Sequence, residues 1–284
     1  MASPWEAHRR RAEALRSRYP FAAEVLALYL ALIDVWEESG PLTLAERPEP
    51  EQLAGWAAER VLPGVVKATE AAGPPPLVEA TYGLVEAGEL AGSLARWLAG
   101  AGLPPVERYL ARASLRAPLE ALGAAAGQAC AADTASRGGS RCPTCAGPPQ
   151  LTVRQAGEDR LVSAARRLIC ARCAHEWQFS SSTCPFCGET SGSKRTVYAE
   201  PRGGPVVAGA ADPPGAEHDD RAGPATFPHL RVDACASCRR YLIDVDLGRD
   251  PRAVPEVDEL AAVPLDLYAT EQGLSKITPN LMGF

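Results

Sequence analysis

The sequence lacks the long apolar stretch that a membrane span requires. Its most apolar segment runs from Val25 to Ile33 between two acidic residues, and a bilayer span needs roughly 20 such residues. The N-terminal residues contain a basic cluster with no apolar stretch after it, unlike a signal peptide. We therefore predict a soluble protein that is located in the cytoplasm.

The motifs of the common enzyme classes are also missing. The sequence contains no P-loop, no dinucleotide-binding glycine pattern, no HExxH and no Ser-His-Asp order. His175 alternates with Trp177, which favours a position in the core or beside a metal site. The other histidines are expected at the surface: His8, His218 and His229. We predict no catalytic residue and no enzyme activity.

Positive charge is scarce where a nucleic-acid-binding domain would need it. The net charge is −6, and residues 142–247, which contain every Cys pair, carry 12 Lys or Arg against 12 Asp or Glu. Neutralisation of phosphates supplies much of the affinity for nucleic acids, so their binding domains are usually basic. We expect no nucleic-acid binding. A zinc-ribbon nucleic-acid-binding module is the alternative function, which salt-sensitive binding of DNA or RNA would reveal.

The first 130 residues are rich in Ala and Leu and predict a helical domain. A capping-box pattern at Ser3–Glu6 predicts a first helix that ends near Arg18. The second helix is expected to end at Gly40–Pro41. Further helices are predicted at about 50–71, 75–99 and 104–130.

The second half shows a different pattern. Short runs of β-branched and aromatic residues predict strands, whereas residues 201–228 are rich in Gly and Pro and predict a long loop. The tail from Pro255 returns to helical periodicity, with Gly273 as its expected C-cap. We divide the chain into a helical domain at 1–130, a linker at 131–141 and a metal-binding domain at 142–284.

Eight of the nine cysteines form Cys-x-x-Cys pairs. These pairs are Cys142/Cys145, Cys170/Cys173, Cys184/Cys187 and Cys235/Cys238. Two such turns complete a tetrahedral four-thiolate site. The spacing favours sequential pairing, because 24 and 47 residues then separate the paired turns, whereas only 10 separate the second pair from the third. Cross-braced pairing stays open, and the spacing does not distinguish zinc from a single iron ion.

The residues around the pairs refine this interpretation. Gly188 follows the third pair and suits a left-handed backbone, whereas Ala146 stands at the corresponding position of the first. That strain of about 1–2 kcal/mol is small beside the roughly 10–16 kcal/mol of a bound structural ion. Cys130 is interpreted as a buried small hydrophobe. A thiol oxidoreductase or electron carrier is less favoured, because no βαβ context surrounds any pair.

The ordered motifs resemble those of the formate dehydrogenase accessory protein FdhE. The resemblance is carried by CPTCAGPP, CARCAHEW, CPFCG, CASCRRYLIDVD and the tail that ends in SKITPNLMGF. It covers nearly the whole chain, since that family also has a helical N-terminal half. It implies a non-enzymatic assembly factor that binds the catalytic subunit of a respiratory formate dehydrogenase in the cytoplasm before export.

The resemblance also implies iron bound by rubredoxin-like knuckles, with all eight paired cysteines as ligands and zinc as the alternative ion. A redox-responsive role through this iron is a hypothesis. The fold expected from the residues and the resemblance together is α+β. An N-terminal all-α helical domain would precede rubredoxin-like or zinc-ribbon β knuckles with two four-cysteine metal sites and a C-terminal helix.

Overall fold

The computed structural model describes residues 3–88, 90–130, 139–155, 165–200, 207–208 and 225–284. The predicted linker at 131–141 and the predicted loop at 201–228 lie largely outside these residues. Of the helices in the described ranges, none is long and apolar enough to cross a bilayer.

Helices form both ends of the chain and a sheet lies between them. The helices are α1 (Glu6–Arg18), α2 (Ala23–Glu46), α3 (Leu53–Arg60), α4 (Leu62–Ala72), α5 (Pro75–Ala87), α6 (Leu90–Leu98), α7 (Pro105–Leu122), α8 (Ala126–Ala129), α9 (Pro255–Ala261) and α10 (Val263–Glu271). The strands are β1 (Pro149–Arg154), β2 (Arg166–Cys170), β3 (Glu176–Gln178), β4 (Arg195–Ala199), β5 (Val207–Ala208), β6 (Leu230–Cys235), β7 (Arg240–Asp246) and β8 (Ser275–Lys276). The predicted α+β class is confirmed.

The central helix of the N-terminal half is α2, which packs against α1, α4 and α7. Its buried face carries Tyr29, Leu32 and Trp36 at three- and four-residue spacing. The indole N–H of Trp36 donates to the carbonyl of Ala113 in α7 over 2.8 Å. The apolar periodicity therefore marks the helix-packing core, as the sequence predicts.

Two helix boundaries differ from the prediction. α2 continues through Pro41 to Glu46, because its packing on three other helices outweighs the roughly 3 kcal/mol that an internal proline costs. α1 begins at Glu6, and no capping box forms at its start. Instead, the Ser3 hydroxyl accepts a bond from the Trp5 N–H over 3.2 Å and donates to Glu37 over 2.8 Å.

Each of the three longer predicted helices is divided. α3 and α4 meet at Val61, α5 ends at Gly88, and α7 ends at Gly123. Both glycines have positive φ, 73° and 54°, a conformation that glycine adopts without strain. The helical half consists of more and shorter helices than the periodicity indicates.

One eight-stranded sheet forms, with the order β3-β2-β1-β7-β6-β4-β5 and with β8 paired to β7. β1 and β7 run parallel, with Thr152 opposite Asp244. β2 and β6 each end at the first Cys of a pair, so that the second and fourth Cys pairs turn the chain into β3 and β7. The repeated arrangement of Cys pair, strands and Cys pair is therefore part of a single sheet.

The C-terminal helix is present as two segments, α9 and α10. α10 ends before Gly273, whose φ is 69°, and the N–H of Leu274 donates to the carbonyl of Ala269 over 3.0 Å. This is the glycine C-cap that the sequence predicts. The two segments cover the sheet and carry the chain to β8.

α9 lies between the helical half and the sheet, in contact with α1, α2, β1 and β7. Arg11 Nε donates to Asp258 Oδ2 over 2.9 Å, and Arg116 Nη2 donates to Glu256 Oε2 over 2.8 Å. Each arginine comes from the N-terminal half and each carboxylate from α9. The two halves are thus joined by partly buried ion pairs.

A buried polar cluster extends this junction. Lys276 Nζ lies 2.8 Å from Glu259 Oε1 and 3.1 Å from Asp266 Oδ2. Gln150 of β1 donates to Glu259 over 2.5 Å and accepts a bond from Arg112 of α7 over 2.6 Å. Burial raises the pKa of Glu259, an effect that Lys276 opposes. Because breaking up such a cluster leaves a buried charge unpaired, it fixes how α7, β1, α9, α10 and β8 fit together.

Candidate metal centres

The structure gathers the eight paired cysteines into two clusters. The first cluster contains Cys142, Cys145, Cys170 and Cys173. The second cluster contains Cys184, Cys187, Cys235 and Cys238. Within each cluster all sulfur atoms lie within 4.8 Å of one another. Sequential pairing, which the spacing favours, is the arrangement found, and the cross-braced alternative is wrong.

The sulfur separations match a tetrahedral ion site. In the first cluster the Sγ atoms of Cys145 and Cys170 are 3.4 Å apart. Those of Cys142 and Cys173 are 3.7 Å apart, and the two corresponding separations in the second cluster are both 3.8 Å. Metal–sulfur bonds of about 2.3 Å place two ligands of a tetrahedron about 3.8 Å apart. A disulfide would bring the sulfurs to about 2.05 Å, so the geometry fits one ion per cluster, zinc or iron.

All four Cys-x-x-Cys turns share one backbone conformation. The residue after the second Cys has positive φ in each: 53° at Ala146, 58° at Ala174, 77° at Gly188 and 58° at Arg239. Its N–H donates to the carbonyl of the first Cys over 2.9–3.2 Å. The conformation expected at the third and first pairs therefore occurs in every turn. Three of the four positions are not glycine, and each carries a strain of about 1–2 kcal/mol.

Neighbouring groups set the charge of the first cluster. The N–H of Thr144 donates to Cys142 Sγ over 3.4 Å, and that of Arg172 donates to Cys170 Sγ over 3.3 Å. Hydrogen bonds from the other thiols of the cluster, that of Cys145 first, lower the pKa of Cys142, whereas burial raises the pKa of Cys170. Four thiolates this close together repel one another. Ionisation of all four requires a cation, and binding of that cation releases protons.

The first cluster is packed against the helical half. The guanidinium of Arg172, which lies inside the second Cys pair, donates to the carbonyl of Cys145 over 2.9 Å and lies 5.5 Å from the ring centroid of Trp97 in α6. Gly127 of α8 lies against the first turn, where a Cβ would come within 2.3 Å of the carbonyl oxygen of Thr144. Every sulfur of this cluster belongs to a buried residue. An ion held there would be shielded from solvent by α6 and α8.

Cys130 is buried, as the sequence predicts, and lies beside the first cluster. A hydrogen bond from Cys145, supported by the charge of Arg172 and opposed by burial, lowers the pKa of Cys130 to about 7. Cys130 belongs to neither cluster of four. Cys130 is therefore buried beside the first cluster but is not a fifth ligand of that cluster.

The second cluster is more accessible. Cys184 and Cys235 are buried, but Cys238 is half-buried and Cys187 is exposed. Phe186, inside the third pair, is 48% exposed and stacks against the guanidinium of Arg240 at 5.0 Å. The two clusters therefore share their geometry and differ in how far solvent reaches the sulfurs.

A buried ion pair connects the strands that carry the two clusters. Arg166 of β2 lies 2.7 Å from the carboxylate of Asp233 in β6, which also pairs with Arg195 of β4. Arg166 further donates to the carbonyls of Ser180 and Thr183 over 3.1 and 2.9 Å, directly before the third Cys pair. Side chains thus reinforce the connection that the β1–β7 pair makes through the backbone.

Comparison with known proteins finds a family model that is similar to the C-terminal residues. The family model "FdhE, C-terminal domain" matches residues 216–282. The resemblance to FdhE is confirmed. The match contains β6, β7, α9, α10 and the fourth Cys pair. The FdhE-like region therefore supplies half of the second cluster and α9, the helix that bridges the two halves.

Similar proteins carry the FdhE name. An FdhE homolog of Aquifex aeolicus is 26% identical over 143 residues, which is 50% of this chain and 41% of that protein. One of Pseudomonas aeruginosa is 32% identical over 142 residues, again 50% of this chain and 38% of the relative. The crystal structure of the FdhE protein from Pseudomonas aeruginosa superposes with a TM-score of 0.63 at 22% identity, over 98% of this chain and 94% of that one. The fold is therefore shared across the whole chain, whereas the aligned sequence covers less than half of each curated relative.

The histidines lie outside both clusters, as far as the structure describes them. His175 is exposed, and its carbonyl accepts a bond from the N–H of Cys170 over 3.0 Å. The surface position expected for His229 is wrong, because this residue is buried and its Nε2 lies 2.7 Å from Asp258 Oδ1. His8 is half-buried and bonds the Tyr29 hydroxyl over 2.8 Å, and His218 lies outside the described residues.

Sequence reasoning also missed Arg172. An arginine between two cysteines suggests an exposed cation, yet this side chain is 4% exposed and contacts both the first cluster and α6. Its position inside a Cys pair could have indicated a buried side chain, because both cysteines of that turn face a candidate ion.

Proposed function

We propose that this protein is an accessory factor in the maturation of a respiratory formate dehydrogenase. In this proposal it binds the catalytic subunit of the enzyme in the cytoplasm before export and catalyses no reaction itself. The observation that carries the proposal is the match of residues 216–282 to the C-terminal domain of FdhE. These residues include α9, which joins the two halves, and half of the second cluster, so they are central to the fold.

The eight clustered cysteines are the proposed ligands of two ions per chain. The sulfur separations of 3.4–3.8 Å support this assignment, as does the absence of a disulfide at these cysteines. We propose iron as the ion in the cell, with zinc as the alternative. A single iron held by four thiolates changes oxidation state without a change of ligands, which would make the factor responsive to redox conditions. The residues of the chain orient the thiolates and exclude water from the first cluster.

We also propose that residues 1–130 and 142–284 form two units joined by 131–141. The support is that every clustered cysteine and every strand belongs to the second unit. Cys187→Ser should then remove one ion and leave the helices of the first unit folded, which far-UV circular dichroism measures. Loss of the whole helical signal would contradict this division.

A gene deletion in the source organism tests the proposed role. Formate dehydrogenase activity would be assayed in the deletion strain, with the abundance and compartment of the catalytic subunit followed by immunoblot of fractionated cells. We expect the subunit to accumulate without activity, and the intact gene to restore activity. Unchanged activity in the deletion strain would refute the role.

Complementation with variants tests the part played by the ions. Cys142→Ser and Cys187→Ser each remove one thiolate from a different cluster, while Ser182→Ala changes an exposed residue beside the third pair. We expect Ser182→Ala to restore activity fully and at least one Cys variant to fail, at equal protein abundance. Full restoration of activity by both Cys variants would show that the maturation role does not require the ions.

A further inference from the structure

A cleft of about 260 Å³ opens where the two halves of the chain meet, away from both cysteine clusters. Its walls are the C-terminal part of α1, the residues that lead into β6 and the turn that follows β7. Both the N-terminal helices and the sheet therefore contribute to it. The proposed ions do not account for this cleft, because no cysteine lines it.

The lining is strongly basic in a protein whose net charge is −6. Four arginines line the cleft, Arg11, Arg18, Arg249 and Arg252, and Asp250 is the carboxylate among the lining residues. When Asp258 behind Arg11 and Asp246 beside Arg249 are also counted, the positive charges exceed the negative ones by one. A concave surface of one sign concentrates ligands of the opposite sign.

Most of these guanidinium donors are not used within the protein. The guanidinium of Arg11 is already paired within the protein, since it donates to Asp258 and Asp250 over 2.8–2.9 Å. In contrast, the side chain of Arg252 is 87% exposed and reaches Asp250 only at 3.5 Å. That of Arg249 is 55% exposed, donates one bond of 3.1 Å to the carbonyl of Pro228, and has its Nε 3.6 Å from Asp246 Oδ2.

The third available arginine, Arg18, comes from the opposite wall. It is exposed, and its guanidinium lies 5.2 Å from the ring centroid of Tyr19. Arginines on both sides of a cleft can hold one anion between them, because each guanidinium offers two parallel N–H groups that match the oxygens of a phosphate.

Apolar residues also line the cleft. Leu15, Tyr19, Pro228 and Pro251 contribute to the lining, and the Tyr19 hydroxyl is fixed by a 2.8 Å bond to the carbonyl of Thr226. Tyr19 is only 6% exposed and its ring packs against Phe227, so the exposed prolines offer the rigid apolar surface on which a flat group can pack. A ligand for this cleft should combine an anionic end with an apolar or planar part.

We propose that this cleft binds a phosphorylated small molecule of about the size of a nucleoside monophosphate. The exposed arginines bind the phosphate, and the surfaces of Pro228 and Pro251 hold the base or another flat group. Ligand pockets usually measure about 300–1,000 Å³, and a cleft of about 260 Å³ lies just below that range, which favours a small ligand. Because the binding groups come from α1 and from the turn after β7, the ligand would bind both halves of the chain at once.

Isothermal titration calorimetry of the full chain in phosphate-free buffer tests this proposal, with adenosine monophosphate, inorganic phosphate and adenosine as the probes. We expect one molecule of the nucleotide to bind per chain, about tenfold or more tighter than phosphate, and adenosine not to bind. The double variant Arg18→Ala/Arg252→Ala should weaken nucleotide binding at least about tenfold. Arg16→Ala, which changes an exposed arginine of α1 outside the lining, should leave the affinity within about twofold.

Both changed arginines are exposed, so the double variant should keep the fold, and its thermal unfolding checks this. Absence of nucleotide binding would overturn the proposal. An affinity that the double variant leaves unchanged, or that Arg16→Ala reduces equally, would overturn it as well. An acidic peptide that competes for the cleft and binds more tightly than the nucleotide would assign the cleft to a protein partner instead.

Discussion

The two proposed ions should leave the protein at very different rates. In the first cluster no cysteine is more than 5% exposed, whereas Cys187 of the second is exposed and Cys238 is half-buried. A chelator attacks a metal–thiolate bond only where it can reach the sulfur. The second ion is therefore open to attack in the folded state, and the first becomes accessible only through local opening.

The size of the difference follows from what that opening must break. Arg172 has to give up its bond to the Cys145 carbonyl and its contact with Trp97. A hydrogen bond from a charged group contributes about 1.5–3 kcal/mol, and a desolvated cation–π contact adds about 2 kcal/mol. Opening thus costs about 4 kcal/mol, which slows release from the first cluster about a thousandfold at about 1.4 kcal/mol per factor of ten.

A coloured zinc chelator in excess, mixed with protein loaded with two zinc ions, measures both rates by absorbance. We expect two phases of equal amplitude. Cys187→Ser should remove the fast phase and Cys142→Ser the slow one, while Arg172→Ala should accelerate the slow phase only. A single phase with an amplitude of two ions, or two rates within about tenfold of each other, would refute the reasoning from burial.

Three further predictions concern stability and loading of the folded chain. Both Gly188 and Ala146 have positive φ, so Gly188→Ala should lower the free energy of unfolding of the metal-loaded protein by about 1 kcal/mol, and Ala146→Gly should not lower it. Urea unfolding measures both variants, and an unchanged free energy of unfolding for Gly188→Ala would contradict this prediction. Gly147→Ala places a Cβ 2.7 Å from a sulfur of the first cluster, so metal analysis should find one ion per chain instead of two, and retention of both would show that the turn can move. Lys276→Met leaves two buried carboxylates without their cation and should destabilise the folded protein by about 3–5 kcal/mol. Arg252→Ala changes an exposed residue and, as the control, should change stability by less than about 0.5 kcal/mol. Equal effects of the two variants would refute the importance of the buried cluster.

The composition of the two clusters could be predicted because ligand spacing is a local property. A Cys-x-x-Cys turn has one backbone conformation that holds two sulfurs together, and the lengths between turns favour one pairing. The same locality explains why Gly188 and Ala146 were recognised as positions of positive φ. Short runs of β-branched and aromatic residues likewise predicted strands in the second half, where β1 and β7 are found, since such side chains pack well on a buried sheet.

What could not be predicted depends on contacts between distant segments. Pro41 predicts a helix end from local chemistry alone, and only the packing of α2 on α1, α4 and α7 explains why the helix continues. Lys276 and Glu259 look like surface residues until β8 and α9 are placed together, where both become buried. His229 reads as a loop residue for the same reason, because Asp258 reaches it only when α9 packs on the sheet.

The parallel pairing of β1 with β7 has a consequence for how the chain reaches its fold. Thr152 pairs with Asp244 across 92 residues, so this central pair has a high contact order, and contacts of that kind form slowly. The entropy lost on closing a loop grows with the logarithm of its length. An ion bound by either cluster would close part of the intervening chain beforehand, and the order in which the two ions bind would set the order in which the sheet assembles. During synthesis the first cluster is complete long before β7 emerges, which would make it the template on which the rest of the sheet forms.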